Sequence, residues 1–400
     1  MIFLHYRISE ITEEQRNLDR IIRDVEGGEK IYTCIQCGSC SATCPGNESN
    51  RYSHRQFWRL LQMGRSDEIF GSENEWNCTT CGLCESRCPR GIPLTRIILR
   101  LREAYTCKNG VPENQSNIAS AMEKRNINGD DQKNRSLWFS NMGEGKSEVE
   151  AALKKDKAKV IYYTGCVSAL FPQAYKIPQS LSFMLIKAGI DLGFLGEGEW
   201  CCGYPLLGSG AGEDSLREYA EHTYAELVKK GAETVVMSCP TCLYVFREVY
   251  TKYVPGFNYI EILHYSQYLL RLAQEGRLKF KHGDETVTYH DPCDLGRKGE
   301  KIFDEPRQLI SLTGARIKEM RFNKNESKCC GGGGNIEMQN ASLAENISAG
   351  RASEAVATGA SAIVTTCQQC KRSLQKGTRS IRARIKVYDL AEFLAERLEG

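Results

Sequence analysis

Four short apolar runs, each closed by a cysteine, punctuate the second half of the chain: KVIYYTGC from Lys159, TVVMSCPTC from Thr234, TVTYHDPC from Thr286 and SAIVTTCQQC from Ser361. They are rich in β-branched and aromatic residues and bounded by turn formers, so each predicts a strand. Between them, SLREYAEHTYAELVKKGA and SLAENISAGRASEAVATGA place apolar residues at helical spacing. Strands alternating with helices predict an α/β region with a parallel sheet. Ligands of such sheets gather outside the carboxyl ends of the strands, where these cysteines are expected.

The first half patterns differently. Residues 1 to about 30 read as a short amphipathic helix, ITEEQRNLDRIIRDVEGG, stopped by Gly27 and Gly28. A cysteine-rich segment follows from Cys34 to Cys88, and HRQFWRLLQMGRSDEIF between its two cysteine runs has helical apolar spacing. After IPLTRIILRLREAYT the composition turns polar, rich in Asn, Lys, Glu and Gly. The expected organisation is a helical cysteine-rich domain (1–107), a linker with irregular helices (108–158), and two α/β lobes (159–283 and 284–400). The fold class is therefore α+β with α/β: a helical domain followed by a duplicated, pseudo-two-fold α/β domain.

The duplication is visible in the cysteines. The order strand–Cys, helix, Cys-Cys-Gly, helix, strand–CxxC occurs twice. The first copy is Cys166, Cys201-Cys202-Gly203, Cys239 and Cys242; the second is Cys293, Cys329-Cys330-Gly331, Cys367 and Cys370. Corresponding cysteines are offset by 127 or 128 positions. Two lobes facing one another is the natural reading.

Composition narrows the chemistry. A net charge of +3 is too mild for a nucleic-acid partner. No run of 18 apolar residues reads as a transmembrane helix, and MIFLHYRISE does not read as a secretion signal. A cytoplasmic, reducing location is expected, and there nineteen cysteines point to metal ligation rather than disulfides. The six histidines lie away from the CxxC pairs, which disfavours mixed Cys/His zinc sites.

Cys34, Cys37, Cys40 and Cys44-Pro45 form C-x2-C-x2-C-x3-C-P, and Cys78, Cys81, Cys84 and Cys88-Pro89 repeat it. This is the two-cluster ferredoxin run, in which the fourth cysteine ligates the other cluster. One [4Fe–4S] cubane is assigned to Cys34, Cys37, Cys40 and Cys88, the second to Cys78, Cys81, Cys84 and Cys44. Gly38 and Gly82 allow the close backbone approach such loops need. The bland alternative is a pair of zinc sites or a reduced cysteine core.

Each lobe offers five thiols, one more than a cubane or a structural zinc takes. The spacing hints at an extended cluster, and the glycines after each pair, with GGGG at 331–334, suggest tight backbone approach; a flexible loop is the alternative.

Two copies of C-x(n)-C-C-G-x(m)-C-x-x-C resemble the CCG domains of the heterodisulfide reductase family. The ferredoxin segment, including CIQCGSCSATCP, resembles that family's small iron–sulfur subunit, and the chain looks like a fusion of the two across roughly residues 30 to 390. The resemblance implies a noncubane [4Fe–4S] cluster on Cys166, Cys201, Cys202, Cys239 and Cys242. It implies another on Cys293, Cys329, Cys330, Cys367 and Cys370. It also implies a catalytic oxidoreductase subunit that splits the coenzyme M–coenzyme B disulfide between the two clusters. Electrons would come from a flavin- and cluster-bearing subunit or a cytochrome b type membrane partner, which could hold the chain at a membrane. The alternative is an electron-transfer subunit linking a flavoprotein dehydrogenase for glycerol 3-phosphate, glycolate, lactate or succinate/fumarate to a quinone or thiol pool.

Cys107 is left over and reads as a structural thiol outside both ligand sets. Arg247, Arg297, Lys298, Lys371 and Arg372 follow cysteines closely and read as solvated charges rather than a basic substrate channel. His290 and Asp291 read as a proton relay or a structural pair at a strand end, and Tyr204-Pro205 as a loop former.

Overall fold

In a computed structural model, residues 18–399 are described. The leading part of the expected N-terminal helix, residues 11–17, lies outside the described residues. Its last turns are the helix Leu18–Arg23, which buries Leu18, Ile21 and Ile22. They pack on the helix Leu94–Asn109, whose Leu94, Ile97, Ile98 and Leu101 recur at the three- and four-residue spacing of one buried face. The helix His54–Gln62 opens on a capping box of Ser53 and Gln56 and adds Phe57, Trp58 and Leu61 to the same core.

Residues 108–158, expected as a linker, are instead built into the fold. They form the helices Glu113–Glu123 and Lys146–Leu153 around a 3-10 stretch, Gln132–Phe139. Trp138, Met142, Val149 and Ala152 join a core that the strands of both later sheets share. The polar composition describes the outer faces of these turns; a few apolar side chains suffice to anchor them.

Beyond them lie two four-stranded parallel sheets. The first contains β1 (Val160–Tyr163), β2 (Leu192–Gly193), β3 (Thr234–Met237) and β4 (Glu261–His264), in the order β2-β1-β3-β4. The second contains β5 (Thr286–His290), β6 (Arg316–Ile317), β7 (Ala362–Thr365) and β8 (Lys386–Asp389), in the order β6-β5-β7-β8. The four cysteine-closed runs are the two central strands of each sheet. They are buried on both faces, as continuous apolar runs in parallel sheets are.

This order fixes where the cysteines go. From β1 the chain crosses to β2 on one side and later to β3 on the other, so the ends of β1 and β3 flank a topological switch point. Tyr163 pairs with Met237 there, and Cys166 and Cys239 follow within three residues. In the second sheet His290 pairs with Thr365, followed by Cys293 and Cys367.

The lobes meet through buried polar contacts as well as the shared core. Gln368 accepts from Ser168 N (2.7 Å) and donates to Thr164 O (2.9 Å) and Ser238 Oγ (2.9 Å). His264, fully buried at the end of β4, donates from Nε2 to Thr366 O (3.1 Å) and accepts at Nδ1 from Ser266 N (3.3 Å). Burial holds its pKa down at about 3. As pH falls below about 6.5 the unfolded chain gains a proton that the native imidazole refuses, so stability is lost at about 1.4 kcal/mol per pH unit. A His264→Gln variant lacks this loss. Its stability deficit relative to the parent, measured by chemical unfolding, is expected to shrink between pH 7.5 and 5.5.

Candidate iron–sulfur sites

The two ferredoxin-type loops fold alike. Two residues after the leading cysteine, each puts a non-glycine residue in left-handed backbone, Gln36 (φ 58°) and Thr80 (φ 54°). Gly38 (φ 80°) and Gly82 (φ 72°) then open the short helices Ser39–Thr43 and Leu83–Ser86. The same strained position in both copies marks loops whose shape is imposed by what they enclose. Thr80 N donates to Cys78 Sγ at 3.3 Å.

Cys44, Cys78, Cys81 and Cys84 line one cavity with His54, Trp58 and Thr79. The set joins the fourth cysteine of the first run to three from the second. Burial pushes the Cys44 thiol up, with Cys81 and Cys78 adding to it. In the other loop, Cys40 has Cys34 and Cys37 as charge neighbours. Cys37 is exposed, and Cys34, Cys40 and Cys88 flank the same core.

In the first lobe the five thiols form a chain of contacts: Cys166 to Cys201, Cys201 to Cys202, Cys202 to Cys242, and Cys242 to Cys239, each within hydrogen-bonding reach of the next. The second lobe repeats the order: Cys293 to Cys329, Cys329 to Cys330, Cys330 to Cys370, and Cys370 to Cys367. None of the nineteen cysteines forms a disulfide. Cys239 and Cys367 are close enough across the lobe boundary for their charges to interact.

The glycine after each cysteine pair is required. Gly203 (φ 84°) and Gly331 (φ 85°) are left-handed, and a Cβ on Gly331 would stand 2.5 Å from Ala344 O. The last two glycines of the GGGG run form a docking surface: a Cβ on Gly333 or Gly334 would stand 2.5 Å from Thr79 O or Cys78 O respectively. The second lobe thereby presses onto the ferredoxin loop, and Cys81 comes within hydrogen-bonding reach of Cys329. Arg102 locks the contact. Fully buried, it donates to Glu75 O (2.9 Å), Cys78 O (2.7 Å), Gly208 O (3.0 Å) and Gly334 O (3.0 Å), so one guanidinium ties the ferredoxin segment to both lobes.

The charges expected in solvent are engaged inside the protein. Arg297 donates to Cys81 O (2.7 Å) and Ser327 O (2.7 Å). Lys298 pairs with Asp294 (2.8 Å) and donates to Tyr204 OH (3.0 Å), which itself bonds Thr80 Oγ1 (2.9 Å). Lys371 forms a buried pair with Glu392 (2.6 Å). Arg247 pairs with Glu300, and Arg372 lies over the Phe171 ring at 4.0 Å. Asp291 is held by Arg307 at 2.7 and 2.9 Å. These side chains lie near cysteines, as their spacing predicts, but the fold engages them instead of leaving them solvated. Cys107 is half-buried near the end of Leu94–Asn109.

Three residues went unnoticed in the sequence. Arg102 lies on a helix face that reads as amphipathic. Arg135 and Glu199, a buried ion pair at 2.8 Å, come from the supposed linker and from the segment before Cys201. His290 gains a neighbourhood its spacing did not indicate: its ring nitrogen, Cys330 Sγ and Cys370 Sγ lie within 4.8 Å of one another. Its Nδ1 accepts from Arg351 Nε (3.0 Å), which puts its proton on Nε2.

Ten convergent thiols in two groups of five, eight of them buried, beside a four-cysteine cavity, fit iron–sulfur ligation in donor chemistry. Family comparisons agree. A 4Fe-4S dicluster domain matches residues 30–92, and a cysteine-rich domain matches twice, at 160–247 and 287–375. The protein is thus an iron–sulfur protein built from a dicluster domain and a repeated cysteine-rich domain. More particularly, the chain resembles subunits of the heterodisulfide reductase family.

One component of the dihydromethanophenazine:CoB–CoM heterodisulfide reductase of Methanosarcina barkeri is 34% identical over 272 residues, covering 67% of this chain and 64% of that protein. One component of the fumarate reductase (CoM/CoB) of Methanothermobacter marburgensis is 26% identical over 383 residues, 92% of this chain and 73% of its own. The EtfAB:quinone oxidoreductase of Syntrophomonas wolfei is 26% identical over 402 residues, 95% of this chain and 48% of its own. The chain spans just under two thirds of the length of its heterodisulfide reductase relative. Among the described residues, no helix is long and apolar enough to cross a membrane.

Proposed function

We propose that this chain is an iron–sulfur subunit that reduces the disulfide of coenzyme M and coenzyme B to two thiols. In this reading Cys34, Cys37, Cys40 and Cys88 hold one cubane, and Cys44, Cys78, Cys81 and Cys84 the other. Cys166, Cys201, Cys202, Cys239 and Cys242 hold one noncubane cluster, and Cys293, Cys329, Cys330, Cys367 and Cys370 its counterpart. When bound, such clusters supply electrons singly, and one disulfide takes two electrons and two protons to give two thiols.

The observation that carries the reading is the facing of two five-thiol groups. Cys239 and Cys367 stand near each other at the carboxyl ends of β3 and β7, so a substrate with two sulfurs would meet one lobe at each. Gly165 keeps that boundary tight, since a Cβ there would meet Gln368 Nε2 at 3.3 Å and Cys242 Sγ at 3.7 Å. Arg102 and Arg297 hold the dicluster loop against the second lobe, and the Cys81–Cys329 contact makes that lobe its neighbour. Electrons would come from a separate donor protein, either flavin- and cluster-bearing or a membrane cytochrome b.

Anaerobically purified protein supplied with reduced viologen is expected to oxidise it on addition of the coenzyme M–coenzyme B disulfide, at about two viologens per disulfide. No oxidation from iron-replete protein would contradict the assignment. A second reading, favoured by the likeness to a quinone oxidoreductase over 95% of the chain, is an electron-transfer subunit that links a flavoprotein dehydrogenase to a quinone pool. Viologen oxidation by a soluble quinone, with none by the disulfide, would select it.

A further inference from the structure

The two five-thiol groups share an order of contacts but not a charge environment. At Cys166, the first thiol of its group, Arg135 Nη2 donates to Sγ at 3.1 Å. The guanidinium is clamped: Nε donates to Gln132 Oε1 (2.8 Å) and Nη1 to Glu199 Oε1 (2.8 Å). Glu199 also accepts from Thr164 N (2.9 Å), Thr164 Oγ1 (2.8 Å) and Gly165 N (2.9 Å), all buried.

At Cys293, the matching thiol of the second lobe, the neighbour is a carboxylate. Asp294 Oδ1 stands 3.6 Å from Cys293 Sγ. Asp294 is held by Lys298 (2.8 Å) and Thr241 Oγ1 (2.5 Å). The repeat puts Val167 where Asp294 stands and Ser327 where Glu199 stands, so neither arrangement has a copy in the other lobe. Both lobes carry an ion pair at the leading thiol, but they touch it differently: the Arg135 guanidinium donates to Cys166, whereas the Asp294 carboxylate is the group in contact with Cys293, with Lys298 a charge neighbour of that thiol and Asp294 also acting on Cys239 across the lobe boundary.

We propose that Arg135 and Asp294 are positioning residues that make the two lobes unequal electron acceptors, with the first lobe the stronger. The proposal rests on the cluster-binding reading above. Added electron density on a cluster and its thiolates is stabilised by an N–H donor from a fixed cation and opposed by a carboxylate at the same place. The buried, low-dielectric surroundings enlarge both effects. Hydrogen bonds to the sulfurs and local charge are the levers by which proteins set such potentials. The inequality also has a direction. The dicluster domain touches the second lobe through Cys81 and Cys329, so charge entering there meets the weaker acceptor first and the stronger one across the lobe boundary.

The test is an anaerobic potentiometric titration of the iron-replete full chain, followed by electron paramagnetic resonance and visible absorbance. Arg135→Gln is expected to lower the higher of the two midpoint potentials that belong to the cysteine-rich lobes and to leave the dicluster potentials unchanged. Asp294→Asn is expected to raise the lower one and, because Asp294 also acts on Cys239, to raise the higher one by less. If Arg135→Gln fails to fold, Arg135→Lys keeps a charge at the site without the fork that reaches both Glu199 and Cys166, and a smaller downward shift is expected. Midpoints unmoved at full iron content, or shifts of the opposite sign, would overturn the proposal. Failure of the underlying reading looks different: the parent protein itself would then show no signals beyond those of the dicluster domain.

Discussion

Cys329→Ala is expected to lower disulfide reduction by about a hundredfold or more, since loss of a partner one shell further out costs 10–100-fold at metal sites. Cys329 is the best connected thiol of the molecule. It meets Cys293 and Cys330 within its own group and Cys81 of the dicluster loop, and it is buried. Its removal breaks the order of contacts in the second lobe at the point where that lobe meets the dicluster domain. Iron should fall by about four per chain, one cluster's complement. The dicluster signals should remain, because the cavity of Cys44, Cys78, Cys81 and Cys84 does not include Cys329. Cys107→Ser, outside both groups, should leave iron and activity unchanged. Parent-like activity in Cys329→Ala would remove the second lobe from the reaction.

Arg102→Met is expected to be the most damaging single change outside the cysteines. The guanidinium donates to carbonyls of Glu75, Trp76, Cys78, Gly208 and Gly334, contributed by three parts of the chain. Each buried acceptor left without a donor costs about 1–3 kcal/mol, so a loss of about 4 kcal/mol or more is expected in thermal or chemical unfolding of the iron-replete protein. Arg102→Lys keeps the charge but offers a single ammonium in place of the planar fork, so it should recover only part of the loss. Because the same carbonyls bracket the dicluster loop and the GGGG run, the Met variant should also expose that junction to limited proteolysis. Unchanged stability in both variants would mean that the domains are held by the apolar contacts alone.

Much of this was readable from the residues. Strand runs closed by cysteines are local signals, and the 127–128 offset between copies survives because each copy builds the same parallel sheet. The αL positions of Gln36 and Thr80 had no such signal, since neither residue type advertises left-handed backbone. The polar stretch 108–158 reads as a linker because its buried apolar residues, among them Trp138, Met142, Val149 and Ala152, are too few to dominate its composition. Arg135 was therefore invisible as a neighbour of Cys166, 31 positions further on. Lys298, Lys371 and Arg372 illustrate the opposite limit. Spacing puts them near cysteines and places Asp294 four positions before Lys298, but only the fold supplies Glu392 and Phe171 to engage Lys371 and Arg372. His290 reached Cys330 and Cys370 because β5 and β7 are neighbours, a fact of topology rather than of sequence distance.

The proposed function requires the two cysteine-rich lobes to hold iron–sulfur clusters in addition to those of the dicluster domain. The most direct test is the iron, acid-labile sulfide and zinc content of the anaerobically purified chain. About sixteen iron atoms and as many sulfides per chain, four of each per cluster, are expected, with no stoichiometric zinc. About eight irons accompanied by zinc would contradict it, leaving two cubanes beside structural zinc lobes.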